Sequence, residues 1–334
     1  MNQIAVSTSS FTLYWSSIVI VLSVAAGFAF SAFLYRSSGG KGITFALFVP
    51  VCIVLSLFLS RFVHWYCHPE QYAGFSAAIT NYATGDFVLS GALIGSAAAA
   101  FIAGRLTHRR PGAVLDCFAP GAALIIAGIR FSSLFSSSCR SKIAVTVPSR
   151  QHLPLAAQFT DSAGNVEYRF ATFFVEAIVL IILFASLTVF FFTRRSVRAK
   201  NKKRNTGSVA LMFLVWYSVI EILMDSTRFD SSFARSNGFV SMVQMVCGVS
   251  LLLALVYYSV RCIRADGLRA YQWLCWAGWL VFLGGVGVCE YLVQRHGDWY
   301  LSCYAGMSLC LILTGITITV LYHRQCLSRS GEKQ

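Results

Sequence analysis

Acidic residues are scarce in this chain. Asp and Glu number 13 in 334 residues, against 27 Lys and Arg, and all charged types together make up only 12%. With 57% hydrophobic residues and a mean hydropathy of +0.66, the chain has too little polar surface for a water-soluble domain of this size. Other absences narrow the reading further. The 11 cysteines form no C-x-x-C pair and no zinc-like spacing, so no metal and no cofactor is expected. Buried thiols acting as small apolar residues are the default; Cys67 and Cys139 would both lie outside and could pair. Residues 1–10 contain no Lys or Arg. The positive region of a cleavable signal peptide is therefore missing, and the first apolar helix is expected to be retained. No internal repeat and no low-complexity linker stands out.

What is present is a series of apolar stretches, each long enough to cross a bilayer. They fall near 11–35, 43–66, 87–107, 112–134, 169–193, 207–228, 239–260, 270–293 and 300–322. The fold class expected is an all-α polytopic integral membrane protein of about nine transmembrane helices. The net charge of +14 resembles a nucleic-acid signal but is read as a topology signal, with the lipid bilayer rather than nucleic acid as partner. Alternate loops hold 18 of the 27 basic residues: Arg36 and Lys41; Arg105, Arg109 and Arg110; the run from Arg194 to Arg204; Arg261, Arg264 and Arg269; and Arg324, Arg329 and Lys333. The positive-inside rule makes that side cytoplasmic, which puts the N-terminus outside and the C-terminus inside. The long external segment 135–168 is read as a partly ordered cap or a disordered loop. Trp15, Trp65, Tyr66, Trp299 and Tyr300 fit an interfacial aromatic belt.

Charges in hydrocarbon are costly and mark function, and here most of them gather near the outer leaflet. On the sixth span Tyr217, Glu221, Asp225 and Arg228 are spaced i, i+4, i+8, i+11. At 100° per residue that places them within about 80° of one another on a single helix. Two carboxylates at i, i+4 repel unless a cation lies between them or one is protonated. Arg228 can serve Asp225 from within the helix, and another arginine, Arg130 or Arg61, is expected to serve Glu221. Arg61 and His64 share one face of the second span, which ends at His68 because Pro69 follows. His64 is read as a hydrogen-bonded interfacial histidine rather than a metal ligand. Glu176 lies near the outer end of the fifth span, and Asp86, Ser90 and Gly91 open the third. The small-residue run Ser90–Ala97 lets a helix or a lipid approach closely. Arginines from several helices with compensating acids suit a phosphate headgroup, which the planar guanidinium grips bidentately. An internal salt-bridge network that only sets helix register is the plainer alternative.

The order of motifs resembles that of the bacterial phosphatidylglycerol–prolipoprotein diacylglyceryl transferases, in a divergent form. Ser90-Gly91-Ala92-Leu93-Ile94-Gly95 stands where that family has H-G-G-L-I-G. Asp116-Cys117-Phe118-Ala119-Pro120 matches D-F-x-A-P, and Ile129-Arg130-Phe131-Ser132-Ser133-Leu134 matches G-R-x-G-N-F. Glu176-Ala177 follows the E-G pattern, Gly207, Tyr217, Glu221, Asp225 and Arg228 the G, Y, R, E, R spacing, and Ser241-Met242-Val243-Gln244 the S-M-G-Q pattern. The resemblance implies transfer of diacylglyceryl from phosphatidylglycerol to the lipobox cysteine of a prolipoprotein signal peptide, at the outer face of the plasma membrane. It implies catalytic roles for Arg130, Arg228, Asp225, Glu221 and Tyr217. It implies substrate-binding roles for Arg61, His64, Ser90, Gly91, Ser133, Glu176 and Gln244. Ser90 replaces the family histidine, Ser133 its asparagine, and Glu221 an arginine; Arg61 or Arg169 could restore the missing positive charge. The likeness implies a transferase-like membrane domain over 1–262 of seven spans, with 263–334 as two accessory helices and a cytoplasmic tail. A family-fold protein turned to another anionic lipid, or a transporter or sensor using Glu221, Asp225 and Glu290, are the alternatives.

Overall fold

A computed structural model describes residues 4–8, 11–80, 87–136, 141–153, 155–160, 165–200, 206–229, 231, 233, 239–295 and 299–331. Asp86, Cys139, Ser137, Ser138, Pro154, the turn at 161–164 and the basic residues Lys202, Lys203 and Arg204 lie outside them. Among the described residues nine helices are long and apolar enough to cross a membrane, as the hydropathy pattern predicts. Packing divides the chain into two compact units, residues 1–213 and 214–334.

The first unit opens with a hairpin of β1 (Ile4–Thr8) and β2 (Phe11–Tyr14), then α1 (Trp15–Ser37) and α2 (Gly42–Cys67). The sequence places the first span from residue 11. The structure starts the helix at Trp15, because Phe11, Thr12 and Tyr14, residues suited to strands, pair with β1. His68 caps α2, as Pro69 requires. A one-turn helix α3 (Phe75–Thr80) precedes α4 (Leu89–Leu106) and α5 (Pro111–Ser132). Pro111 opens α5 at a position where a missing N–H costs nothing.

The next elements are α6 (Pro148–Gln151), β3 (Ala156–Thr160), β4 (Val166–Phe170) and α7 (Thr172–Lys200). The strands pair antiparallel, with Ala157 opposite Arg169. Residues 156–160 and 166–170, between the fourth and fifth spans, are therefore paired strands, and the fifth span begins at Thr172 rather than 169. Inside the unit the rings of Phe28, Phe48 and Phe118 pack together, with the Phe48 and Phe118 centroids 5.1 Å apart. Outward-facing side chains such as Val21 (66% exposed) and Leu22 are apolar, as a lipid-facing surface requires.

Two close crossings use small residues. A Cβ on Gly95 would lie 2.6 Å from the Leu55 carbonyl oxygen, and one on Gly91 would meet the Leu59 carbonyl oxygen still closer. The run Ser90–Ala97 thus admits the backbone of α2. Gly27 of α1 and Gly121 of α5 approach each other in the same manner.

The sixth span, α8 (Ser208–Ser226), begins in the first unit. A helix start leaves amide donors without intrahelical partners. Here a side chain from another helix takes three of them. The buried Asp116 carboxylate of α5 accepts from Gly207 N at 2.7 Å, Val209 N at 2.8 Å and Ala210 N at 3.1 Å. Asp116→Ala should lower unfolding stability by about 3 kcal/mol, from a lost cap and charge-assisted hydrogen bonds. Thermal unfolding in detergent checks this, and an unchanged melting temperature would show that the cap is dispensable.

The second unit holds the rest of α8 with α9 (Met242–Asp266), α10 (Ala270–Arg295) and α11 (Tyr300–Gly331). Gly267, at φ 72°, turns the chain out of α9. α10 and α11 form a hairpin of close approach, where a Cβ on Gly285 would lie 3.0 Å from Cys310 Sγ. Trp276 Nε1 donates to Ser259 Oγ of α9 at 3.1 Å, and the Tyr258 and Tyr322 rings meet at 5.5 Å.

Candidate functional site

In the first unit the candidate residues sit at helix ends. Arg130 is in the last turn of α5, and Glu176 in the first turns of α7. Arg130 Nε donates to Glu176 Oε1 at 2.8 Å, with Glu176 fully buried. These two motif positions are far apart in sequence yet make one ion pair. Ser133 is buried in the 3-10 turn that continues α5.

Arg61 and His64 share a buried face of α2, as their spacing implies. Arg61 Nε donates to the Ala78 carbonyl at 3.0 Å, and its guanidinium lies over the rings of Tyr72 (5.5 Å) and Phe87 (5.3 Å). That is a cation held by aromatic faces. His64 Nδ1 and the Tyr72 hydroxyl share a hydrogen bond of 2.8 Å, which fixes the ring. Ser90 is buried near the start of α4, and Gly91 is consumed in the crossing with α2. Arg169, on β4, pairs with Glu167 at 2.8 Å and donates to the Ser141 carbonyl at 3.1 Å.

In the second unit α8 stops at Ser226, so Arg228 lies just past the helix and not on its stripe. Its side chain folds back along α8. Arg228 Nη2 reaches Glu221 Oε1 at 3.1 Å, while Nη1 is 3.8 Å from Asp225 Oδ1. The nearer partner of Arg228 is thus Glu221, where the spacing suggested Asp225. Asp225 is held instead by the Ser241 hydroxyl through a short hydrogen bond. The Ser231 hydroxyl donates to the carbonyls of Asp225 at 2.6 Å and Arg228 at 3.2 Å, which fixes the turn after the helix. Tyr217, Glu221, Asp225 and Arg228 are all buried.

Gln244 has a structural task as well as a motif position. Its Oε1 accepts from Ser241 N at 2.9 Å, its own N–H donates to Ser241 Oγ at 3.1 Å, and its Nε2 donates to the Ile222 carbonyl at 3.3 Å. The first two bonds form a capping box at the start of α9. Ser241, the partner of Asp225, enters the sequence reading only as part of the S-M-G-Q match and not as a candidate site residue. The S-x-x-Q pattern ahead of an apolar run was the signal for it.

Two buried arginines, each bonded to a carboxylate, can hold an anionic group only through a fork that the acids keep oriented. Comparison with known proteins meets this chemistry. The family model described as prolipoprotein diacylglyceryl transferase matches residues 3–260. Among curated relatives, the phosphatidylglycerol–prolipoprotein diacylglyceryl transferase of Trichormus variabilis is 24% identical, over 78% of this chain and 90% of its own length. Its counterpart in Halalkalibacterium halodurans is 24% identical, over 82% and 90%. The Clostridium kluyveri protein of the same name is 25% identical, over 80% of this chain and all of its own. The matched region carries the Arg130–Glu176 pair, the Asp116 cap and the Glu221–Arg228 cluster, and the chain belongs to the prolipoprotein diacylglyceryl transferase family.

Proposed function

We propose that this multi-pass plasma-membrane protein moves the diacylglyceryl group of phosphatidylglycerol onto the thiol of a lipobox cysteine in a prolipoprotein signal peptide, at the outer membrane face. The family's reaction is diacylglyceryl transfer from phosphatidylglycerol to a prolipoprotein, and the enzyme class is a transferase. In the transfer a sulfur–carbon bond forms and the carbon–oxygen bond to phosphate breaks. Glycerol phosphate leaves with the electron pair, and the thiol proton passes to a base.

In this reading Arg130 of the first unit stabilises the phosphate charge as it leaves, and Arg228 of the second unit is a separate candidate for the same role. Glu176 orients the first fork, and Glu221 and Asp225 the second. Tyr217 completes the polar stripe. Arg61, His64, Ser90, Ser133 and Gln244 line or support the substrate-binding surfaces, and Gly91 serves them only by holding α4 against α2. The observation that carries the reading is the buried Arg130–Glu176 pair, formed by two motif positions of the matched family. Purified protein, radiolabelled phosphatidylglycerol and a lipobox peptide should yield thioether-linked peptide. Absence of product, with an established transferase active alongside, would overturn the assignment.

One observation favours a second reading. Glu221, standing where the family has arginine, reverses a charge and occupies Arg228. A site with one more acid and one fewer base suits a less anionic headgroup. Activity with a zwitterionic or hydroxyl-rich lipid donor and none with phosphatidylglycerol would select it.

A further inference from the structure

The helix pair α10–α11 lies beyond the residues that the family model matches, which end at 260. It nevertheless touches α8 at two levels. Near the middle of α8, Gly315 lets α11 approach so closely that a Cβ there would lie 3.2 Å from the Trp216 ring and 3.3 Å from Val219. At the end of α8, the Tyr304 hydroxyl donates to the Ser226 carbonyl oxygen at 3.3 Å. The last carbonyls of a helix have no intrahelical donor, so this bond fixes the final residue of α8, two positions before Arg228.

Polar side chains lie buried in the hairpin that carries Tyr304. Glu290 of α10, the helix packed against α11, is 3% exposed. Gln294 Nε2 donates to Glu290 Oε1 at 2.8 Å, while among the described residues Glu290 Oε2 and the buried Ser226 hydroxyl have no hydrogen-bond partner. A carboxylate and a hydroxyl buried without full satisfaction are costly. A hairpin that served only as apolar filler would not carry the Glu290 carboxylate there.

We infer that the C-terminal hairpin positions the Asp225–Arg228 segment, with Tyr304 as the positioning residue. The inference rests on the transferase reading for its kinetic arm only. Tyr304 acts on Arg228 through the Ser226 carbonyl and the turn that follows.

The test uses the full-length protein in phosphatidylglycerol-containing nanodiscs and the variant Tyr304→Phe, which removes one hydroxyl. Hydrogen exchange at the Thr227, Arg228 and Phe229 amides should accelerate about tenfold, with α9 unchanged, as expected for losing one buried hydrogen bond locally. The kcat for transfer should fall about tenfold while KM for phosphatidylglycerol stays within about twofold, the pattern of a lost transition-state contact. Gly315→Ala, which pushes on Trp216, should shift both readouts the same way and guards against a folding failure of the first variant. Unchanged exchange at 227–229 in both variants would overturn the inference, as would a lower melting temperature with wild-type kcat and KM. If the wild-type protein transfers nothing, the transferase reading fails, and the exchange data alone decide the role of Tyr304.

Discussion

Arg130→Lys should lower the transfer rate at least a hundredfold, on the order of what removal of one charge-stabilising donor costs an enzyme, while leaving the protein folded in the membrane. The substitution keeps the positive charge beside Glu176, so the buried carboxylate retains a cation. It removes the planar fork that lets one side chain bond a carboxylate and a phosphate together. Arg130→Ala is a poorer probe. It would strand Glu176, which is fully buried, and an uncompensated buried charge costs about 3–5 kcal/mol. Lost activity in that variant would mix folding with chemistry. Rates measured per folded molecule for the lysine variant decide the matter; a rate within threefold or so of wild type would remove Arg130 from the role of phosphate clamp.

Glu221→Arg should be close to lethal for the fold. The change introduces the residue type that the motif resemblance assigns to this position, and by motif matching alone it would be expected to improve the enzyme. The geometry says otherwise. Glu221 is 1% exposed and accepts from Arg228 Nη2 at 3.1 Å. Two guanidiniums would then face each other in a buried site with Asp225 as the nearest acid, and Asp225 is already engaged by Ser241. The expected loss is about 3–5 kcal/mol or more, visible as little monodisperse protein after extraction. Glu221→Gln keeps an oxygen acceptor for Arg228 and should retain most of the folded protein. If Glu221→Arg instead folds and gains transfer from phosphatidylglycerol, Glu221 is a mark of altered lipid choice, and the second reading replaces the first.

Much of the architecture was readable before any coordinates. Spans of apolar residues in a chain this poor in charge have few alternatives, and Pro69 marks the end of α2 by keeping His68 out of the helix. Boundaries failed where strand pairing competed with hydropathy. Arg169 and Phe170 adjoin the apolar run of the fifth span, yet they pair with Ala157 and Ala156. The polar stripe on α8 was legible from its spacing, because i, i+4 is a property of the helix alone. The end of that helix was not, and two residues of error moved Arg228 from the stripe to the turn beyond it. Partnership across the sequence was the least legible feature. Arg130 with Glu176, or Asp116 with the amides of α8, depends on which helices lie side by side, and no local pattern encodes that.

The α2–α4 crossing has one more consequence. Where Gly91 and Gly95 meet the carbonyls of Leu59 and Leu55, two backbones touch with no side chain between them. A phospholipid tail, several ångströms thick, has no slot to slide through there. This seam is a wall, so a two-tailed donor travelling sideways out of the bilayer into the first unit has to come in between a different pair of helices.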